Sequence, residues 1–300
     1  MLSSRVVHRI IIATAGGLAL VHTVPNIYPS LVVNYYGFNN VEMPQKIEDS
    51  YQVVAKNMDL YKRHKVKLFI NNGSSSVSAG TTLLPGAAVI GVSRLFLYSN
   101  VTELSESGLT FEGKKINMTS KAGQKLSQSL LFDDDELKFI LAHEISHLKH
   151  LDFLTNCFLP PCWLYFTYRA ILVISNYSPA NLVAKLLLQF SLSILSYWFF
   201  NHKMSDFHHK QEFSADKNAA LVDVSYVKGG MSLMLKRMQL NQALRALHGD
   251  VEKEFFSYEG NDLRDWEHPK LTERLRKLEE IYVQKYVGVQ TNILHENLKS

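Results

Sequence analysis

The chain has 300 residues, 46% hydrophobic and 20% charged, with a mean hydropathy of -0.06, which excludes a disordered chain and allows a sizeable buried core. The formal net charge of +4 comes from basic residues scattered without a stripe or interleaved aromatics, which argues against nucleic acid as a partner. The only cysteines, Cys157 and Cys162, both lie in an apolar stretch, so neither a disulfide framework nor a cysteine-based zinc site is expected, and a metal must be held by histidine and carboxylate.

Arg5 and Arg9 precede an apolar run over residues 10–21, and the first acidic residue is Glu42. Residues 1–25 therefore read as a retained membrane anchor or a mitochondrial-type leader. A secretory signal is the third reading, but no small-x-small cleavage site follows. From residue 44 to about 63, Ile47, Tyr51, Val54, Met58 and Tyr61 recur at spacings of three and four, the stripe of an amphipathic helix. The apolar runs 66–70 and 87–98 predict strands of a small sheet, separated by a Gly/Ser segment over 73–80 and a Pro85-Gly86 turn signal. Residues 100–125 are polar and weakly patterned and read as a surface excursion.

Asp133-Asp134-Asp135 supplies a cap and first-turn acids for a long helix over 134–156, whose apolar positions include Leu137, Ile140, Leu141, Ile145 and Leu148. Two further apolar stretches, 158–174 and 182–200, are broken by Asn176, Ser178, Pro179 and Asn181 and read as a membrane hairpin. Arg169 and Lys185 interrupt them, each costing about 3 kcal/mol at the centre of a membrane helix unless it snorkels or is paired. A buried helical pair in a soluble protein is the other reading. The predicted organisation is thus an N-terminal part of a catalytic domain over 44–156, a membrane hairpin over 157–201 and a C-terminal part over 202–285.

His143-Glu144-Ile145-Ser146-His147 places two imidazoles at i and i+4, on one helix face, where both can bind one zinc ion. Glu144 is then positioned as the base that takes a proton from a metal-activated water and passes it to the leaving amine. A catalytic site of this kind needs a third protein ligand, and the best candidate is Glu212, beyond the hairpin in Gln211-Glu212-Phe213-Ser214-Ala215-Asp216. If the hairpin leaves and re-enters the same membrane face, a long gap in sequence becomes a short one in space. Asp216, one turn after Glu212, can accept from the second nitrogen of a ligand histidine. His150, His202, His208 and His209 surround the same elements and read as polar residues of helix surfaces or the membrane interface.

Four blocks in order carry a resemblance: Asp135-Glu136-Leu137; Leu141 to His147; Glu212-Phe213-Ser214-Ala215-Asp216; and His268-Pro269 followed by Arg274. Over roughly residues 44–280 the chain resembles the integral-membrane zinc endopeptidases that include the CAAX prenyl proteases and the bacterial heat-shock membrane proteases. The resemblance implies a mainly helical α+β fold, a gluzincin-type metallopeptidase core with a small sheet and a membrane hairpin. It also implies one Zn2+ on His143, His147 and Glu212, Glu144 as catalytic acid/base, Asp216 behind the ligands, and His268 stabilising the oxyanion. The chain departs from that pattern twice. His209 stands where an arginine commonly precedes the third ligand, and Ser78-Ala79 replaces an Asn-Ala pair ahead of the substrate-facing strand.

A peptide or a membrane protein is the expected substrate, held by backbone pairing along an edge offered by residues 87–97, with the lipid bilayer as the other partner. The expected location is the mitochondrial inner membrane or endoplasmic reticulum in a eukaryote, or the inner membrane in a bacterium. A catalytically silent membrane scaffold and a soluble zinc hydrolase are the competing functions.

Overall fold

The computed structural model describes residues 4–38, 41–60, 66–83, 88–107, 110–111, 114–115, 120–248 and 254–288. Tyr61, the Pro85-Gly86 turn and Ala87 lie outside them. The fold is α+β and mainly helical. Helices α1 (Ser4–Ile27) and α2 (Ser30–Tyr36) lead to α3 (Gln45–Asn57), which Pro44 enters in an extended conformation. The predicted stripe turns Ile47, Tyr51, Val54 and Ala55 of α3 into the core.

The sheet has β1 (Val66–Asn71) parallel to β3 (Ala88–Ser93), and β2 (Val77–Gly80) antiparallel to β3 on its other flank. Every residue of β3 is buried. This corrects the expectation that residues 87–97 offer an edge. β3 is paired on both sides, and the chain leaves it through a 3-10 turn over Arg94–Leu97, where Ser93 Oγ accepts from Leu95 N. The outer strands are β1 and β2, and β2 lies inside the Gly/Ser segment, where Val77 is the one strong strand former.

Residues 100–125 are also more than a surface excursion. They contain α4 (Val101–Glu106), capped by Asn100, the two-residue strands β4 (Thr110–Phe111) and β5 (Lys114–Lys115), and the start of α5 (Lys121–Leu130), capped by Ser120. Leu104, Leu126 and Leu130 form a small core with Leu95 and Ala243.

Helix α6 (Asp134–His150) begins with a capping box, in which Asp133 accepts from Glu136 N and Glu136 accepts from Asp133 N. The expected helix over 134–156 is interrupted. Leu151 takes a left-handed conformation at φ 55°, and α7 (Phe153–Tyr177) restarts in a new direction. From Asn181, which caps it, α8 (Leu182–Ala220) runs unbroken for 39 residues, so the second hairpin arm and the Glu212 segment are one helix. Trp163 Nε1 and Thr167 Oγ1 both meet Ser196 Oγ, tying the two arms together.

Helices α1, α7 and α8 are each long and apolar enough to cross a membrane. α1 lies antiparallel along α7: the His8 ring stands 5.9 Å from that of Tyr168, and at the other end Asn26 Oδ1 accepts from Gly80 N of β2. Phe166, Leu187, Phe190 and Trp198 are exposed, so these helices are not a pair buried in a soluble core but present an apolar surface suited to lipid.

Helix α6 is the axis of the remaining core. It packs on α3, β2, α8 and α9 (Val224–His248), and α10 (Leu271–Ile281) closes against α8 and α9. The crossing of α6 and α9 is close because α9 carries Gly229-Gly230 there. A Cβ on Gly229 would stand 2.1 Å from the Asp135 carbonyl oxygen, and one on Gly230 2.5 Å from the Phe139 ring. Glu136, fully buried, is met from α9 by Ser232 Oγ and Lys236 Nζ. Gly229→Ala should therefore cost about 1–3 kcal/mol through overpacking against backbone, read as a lowered thermal unfolding midpoint by tryptophan fluorescence in detergent; an unchanged midpoint would show that the helices separate freely.

Candidate metal centre

His143 and His147 stand one turn apart on α6, with their Nε2 atoms 3.1 Å from each other. Glu212, brought in by α8, places Oε1 3.2 Å from His147 Nε2 and Oε2 3.6 Å from His143 Nε2. These three residues can hold one metal ion, since one ligand atom from each lies within 4.8 Å of the others.

Both imidazoles are oriented from behind. His143 Nδ1 donates to Asp216 Oδ1 at 2.9 Å, and His147 Nδ1 donates to Asp152 Oδ2 at 2.7 Å. A carboxylate can only accept, so each proton sits on Nδ1 and each Nε2 lone pair points into the site. Asp216 is held by Arg274 of α10, whose Nε and Nη2 each approach it to 2.7 Å, while Nη1 reaches Glu212 Oε2 at 3.1 Å. Burial disfavours charge on Arg274, but Asp216 and Glu212 raise its pKa further above the ordinary guanidinium value.

The donor set fits a divalent cation. Two imidazole Nε2 atoms and the Glu212 carboxylate lie within 3.6 Å of one another, an arrangement that needs positive charge among them, a metal ion or a proton on His147. The charges point the same way: the cavity lining carries the acids Glu144, Asp152, Glu212, Asp262, Asp265 and Glu267 against the bases Arg237, Lys270 and Arg274, an excess of negative charge that favours a cation. Nitrogen and oxygen ligands in this number suit zinc with an open position. Burial opposes charge on His147, but hydrogen bonds with Asp152 and Glu212 push its pKa up to about 10, so the site recruits a proton where a metal would sit.

Glu144 is buried yet lines the cavity in front of the histidines, and its carboxylate has no hydrogen bond or ion pair among the described residues. His268 comes from the segment before α10, with Nε2 4.0 Å from Glu212 Oε1 and Nδ1 3.0 Å from Asp265 Oδ2. The hydrogen bond with Asp265 raises the His268 pKa against the opposing effect of burial. All five residues singled out in the sequence around the ion site therefore converge, together with His268.

Of the other histidines, His150 and His202 are exposed, and His208 lines the cavity with Nε2 2.8 Å from Asn156 Oδ1. His209, in the place of the family arginine, contacts Ser205 at 3.4 Å. The Ser78-Ala79 pair lies on β2 and lines the cavity.

Three functional residues escaped sequence reasoning. Asp152 is five residues after His147, a spacing that faces elsewhere on a continuous helix, and only the break at Leu151 folds it back. Arg274 was visible in the fourth block without a role. Arg237 sits in α9, which gave no signal, and lines the cavity; burial, with Arg274 nearby, lowers it to about 10, so it stays charged at neutral pH.

The register of α8 on the α6–α7 junction is fixed on either side of Glu212. Gln211 Nε2 donates to Thr155 Oγ1 at 3.0 Å and to the Asp152 carbonyl at 3.2 Å, and Asn218 Nδ2 donates to Ser146 Oγ at 2.9 Å. The cavity is about 770 Å³ and is walled by β2, the end of α1, α6, α9 and the segment leading into α10.

Compared with known proteins, residues 106–282, more than half of the chain, match the model of peptidase family M48. The chain is 26% identical over 264 residues to transmembrane protein 177 of Homo sapiens, covering 84% of this chain and 83% of that one. It is 24% identical over 252 residues to transmembrane protein 177 of Danio rerio, covering 80% and 78%, and 28% identical over 229 residues to that of Rattus norvegicus, covering 74% and 72%. These names state membrane placement and no activity.

Metal analysis of the detergent-purified protein tests the centre. His143→Ala, His147→Ala and Glu212→Ala should each abolish stoichiometric zinc, and Asp152→Asn should weaken zinc affinity about 10–100-fold in chelator competition. Unchanged affinity in Asp152→Asn would remove it from the support of His147.

Proposed function

The chain belongs to peptidase family M48, and on that premise we propose that it is a zinc-dependent membrane endopeptidase with Glu144 as its general base. The observation that carries this reading is that His143, His147 and Glu212 can hold one ion beside a buried carboxylate, Glu144, that makes no hydrogen bond or ion pair among the described residues. A scaffold kept only for stability gains nothing from burying an unpaired carboxylate beside a cation site.

Zinc, when bound, supplies Lewis acidity toward the scissile carbonyl and a lowered pKa for the attacking water. The protein's own groups do the rest. Glu144 accepts the proton of the attacking water and returns it to the leaving amine, completing hydrolysis of the peptide bond. His268, held by Asp265, donates to the oxyanion as it develops. Asp216 and Asp152 keep the imidazoles in the metal-binding tautomer, and Arg274 keeps Asp216 ionised by direct pairing.

The substrate is an extended peptide laid along the free edge of β2, whose Val77, Ser78 and Ala79 line the cavity. Placement beside three membrane-crossing helices suits peptides and membrane proteins that lie close to the bilayer, in processing or quality control. We place the protein in a membrane, the mitochondrial inner membrane or endoplasmic reticulum of a eukaryote or the inner membrane of a bacterium, with α1 retained as an anchor because it is built into the cavity wall. Asn72, Asn100 and Asn117 begin glycosylation sequons in the catalytic part, Asn117 outside the described residues, and Asn176-Tyr177-Ser178 forms another at the hairpin tip. A glycosidase-sensitive mass shift abolished by Asn72→Gln, Asn100→Gln and Asn117→Gln together would put the catalytic side in a secretory lumen, and the absence of any shift agrees with the mitochondrial inner membrane.

Glu144→Gln should retain zinc while lowering kcat for peptide cleavage by at least about 100-fold, and His268→Ala should lower kcat by roughly 100-fold with a smaller change in KM. Equal cleavage by wild type and Glu144→Gln would remove the base, and a zinc-loaded wild type that cleaves nothing in a broad peptide library would favour the silent scaffold.

A further inference from the structure

The cavity contains a guanidinium that the proposed hydrolysis does not use. Leu233, Arg237, Leu240 and Asn241 follow one another at helical spacing on a single face of α9, and all four line the cavity. Arg237 is partly buried, yet among the described residues it has neither a hydrogen-bond nor an ion-pair partner. The other basic residues nearby are occupied: Arg274 is bidentate on Asp216, and Lys236 is bound to Glu136 and to the Leu131 carbonyl. A partly buried guanidinium that faces carboxylates only at a distance leaves its N–H donors without an acceptor in the described chain, a cost that an anion entering the cavity would offset.

The rest of the cavity narrows what that anion is. α6, which carries His143 and Glu144, packs against both β2 and α9, so a peptide running along β2 past Glu144 comes up against the α9 wall. The anion that a peptide carries is a carboxylate, and the planar guanidinium fork matches it with two parallel hydrogen bonds. We propose, resting on the peptidase reading, that Arg237 is the specificity residue of the cleft and binds a carboxylate of the substrate peptide, from an acidic side chain or from a free C-terminus.

Binding without turnover tests this. Full-length, zinc-loaded Glu144→Gln protein in detergent is titrated by fluorescence anisotropy with peptide libraries made as twins, C-terminal acid against amide and Glu against Gln at each fixed position. One class of carboxylate peptide should bind about 10–100-fold tighter than its neutral twin, and which class it is identifies the source of the carboxylate. Adding Arg237→Gln should collapse that ratio to near one with zinc still bound, and Arg237→Lys should restore part of it. Equal binding of all twins, no binding of any, or a preference that survives Arg237→Gln overturns the assignment. Because the readout is binding, a carboxylate preference in a protein whose Glu144 form cleaves nothing refutes the peptidase reading and keeps the anion site, while cleavage without preference does the reverse.

Discussion

Three ligand groups meet at the centre of this protein and need a positive charge among them, a metal ion or, without one, the proton that His147 holds. The Nε2 atoms of His143 and His147 stand 3.1 Å apart, and Glu212 Oε1 lies 3.2 Å from His147 Nε2. Such an arrangement exists only if the rest of the fold holds each partner in place. The structure does so with a second ring of groups, Asp152 behind one imidazole, Asp216 behind the other, and Arg274 bridging Asp216 and Glu212. Arg274 is 4% exposed and Asp216 3%, so the pair is shielded from the solvent screening that would weaken it at a surface. The cost of burying these charges is met by their full mutual pairing rather than by water.

The backbone devices that deliver these groups are ordinary ones. A capping box starts α6, a left-handed residue ends it, and a pair of glycines lets α9 cross it. The end of α6 matters most. Had the helix continued through residue 151, Asp152 would have rotated away from His147, and α7 would not have turned back beside α1. The same single turn thus orients a ligand and launches the membrane hairpin.

Much of this was legible in the sequence, because periodicity and short motifs are local signals. The stripe of α3, the acid-capped α6 and the apolar arms of α7 and α8 all follow from spacing, and the HExxH pentapeptide with the Glu212 to Asp216 segment names the metal cluster. What was missed depends on contacts between distant segments or on weak propensities. β2 is written in small residues and becomes a strand only because β3 pairs with it, which also moved the free edge away from residues 87–97. α9 buries faces on α6, α5 and α10, so no single apolar stripe marks it. Asp152 was hidden by extrapolating a helix across a residue whose left-handed conformation has no sequence signature in leucine.

Helix α8 enters from the apolar hairpin and carries the third ligand without a break. The dozen residues between Phe200, the last of the apolar arm, and Glu212 rise about 18 Å along the helix axis. A continuous helix does not stretch, so it works as a measuring rod that fixes the height of the centre above the apolar layer. A chain still anchored in the bilayer must pay out about five or six extended residues to reach that height. On the peptidase reading proposed above, tails shorter than this would be out of reach whatever their sequence, and the rod would sort chains by free length before any side chain is read.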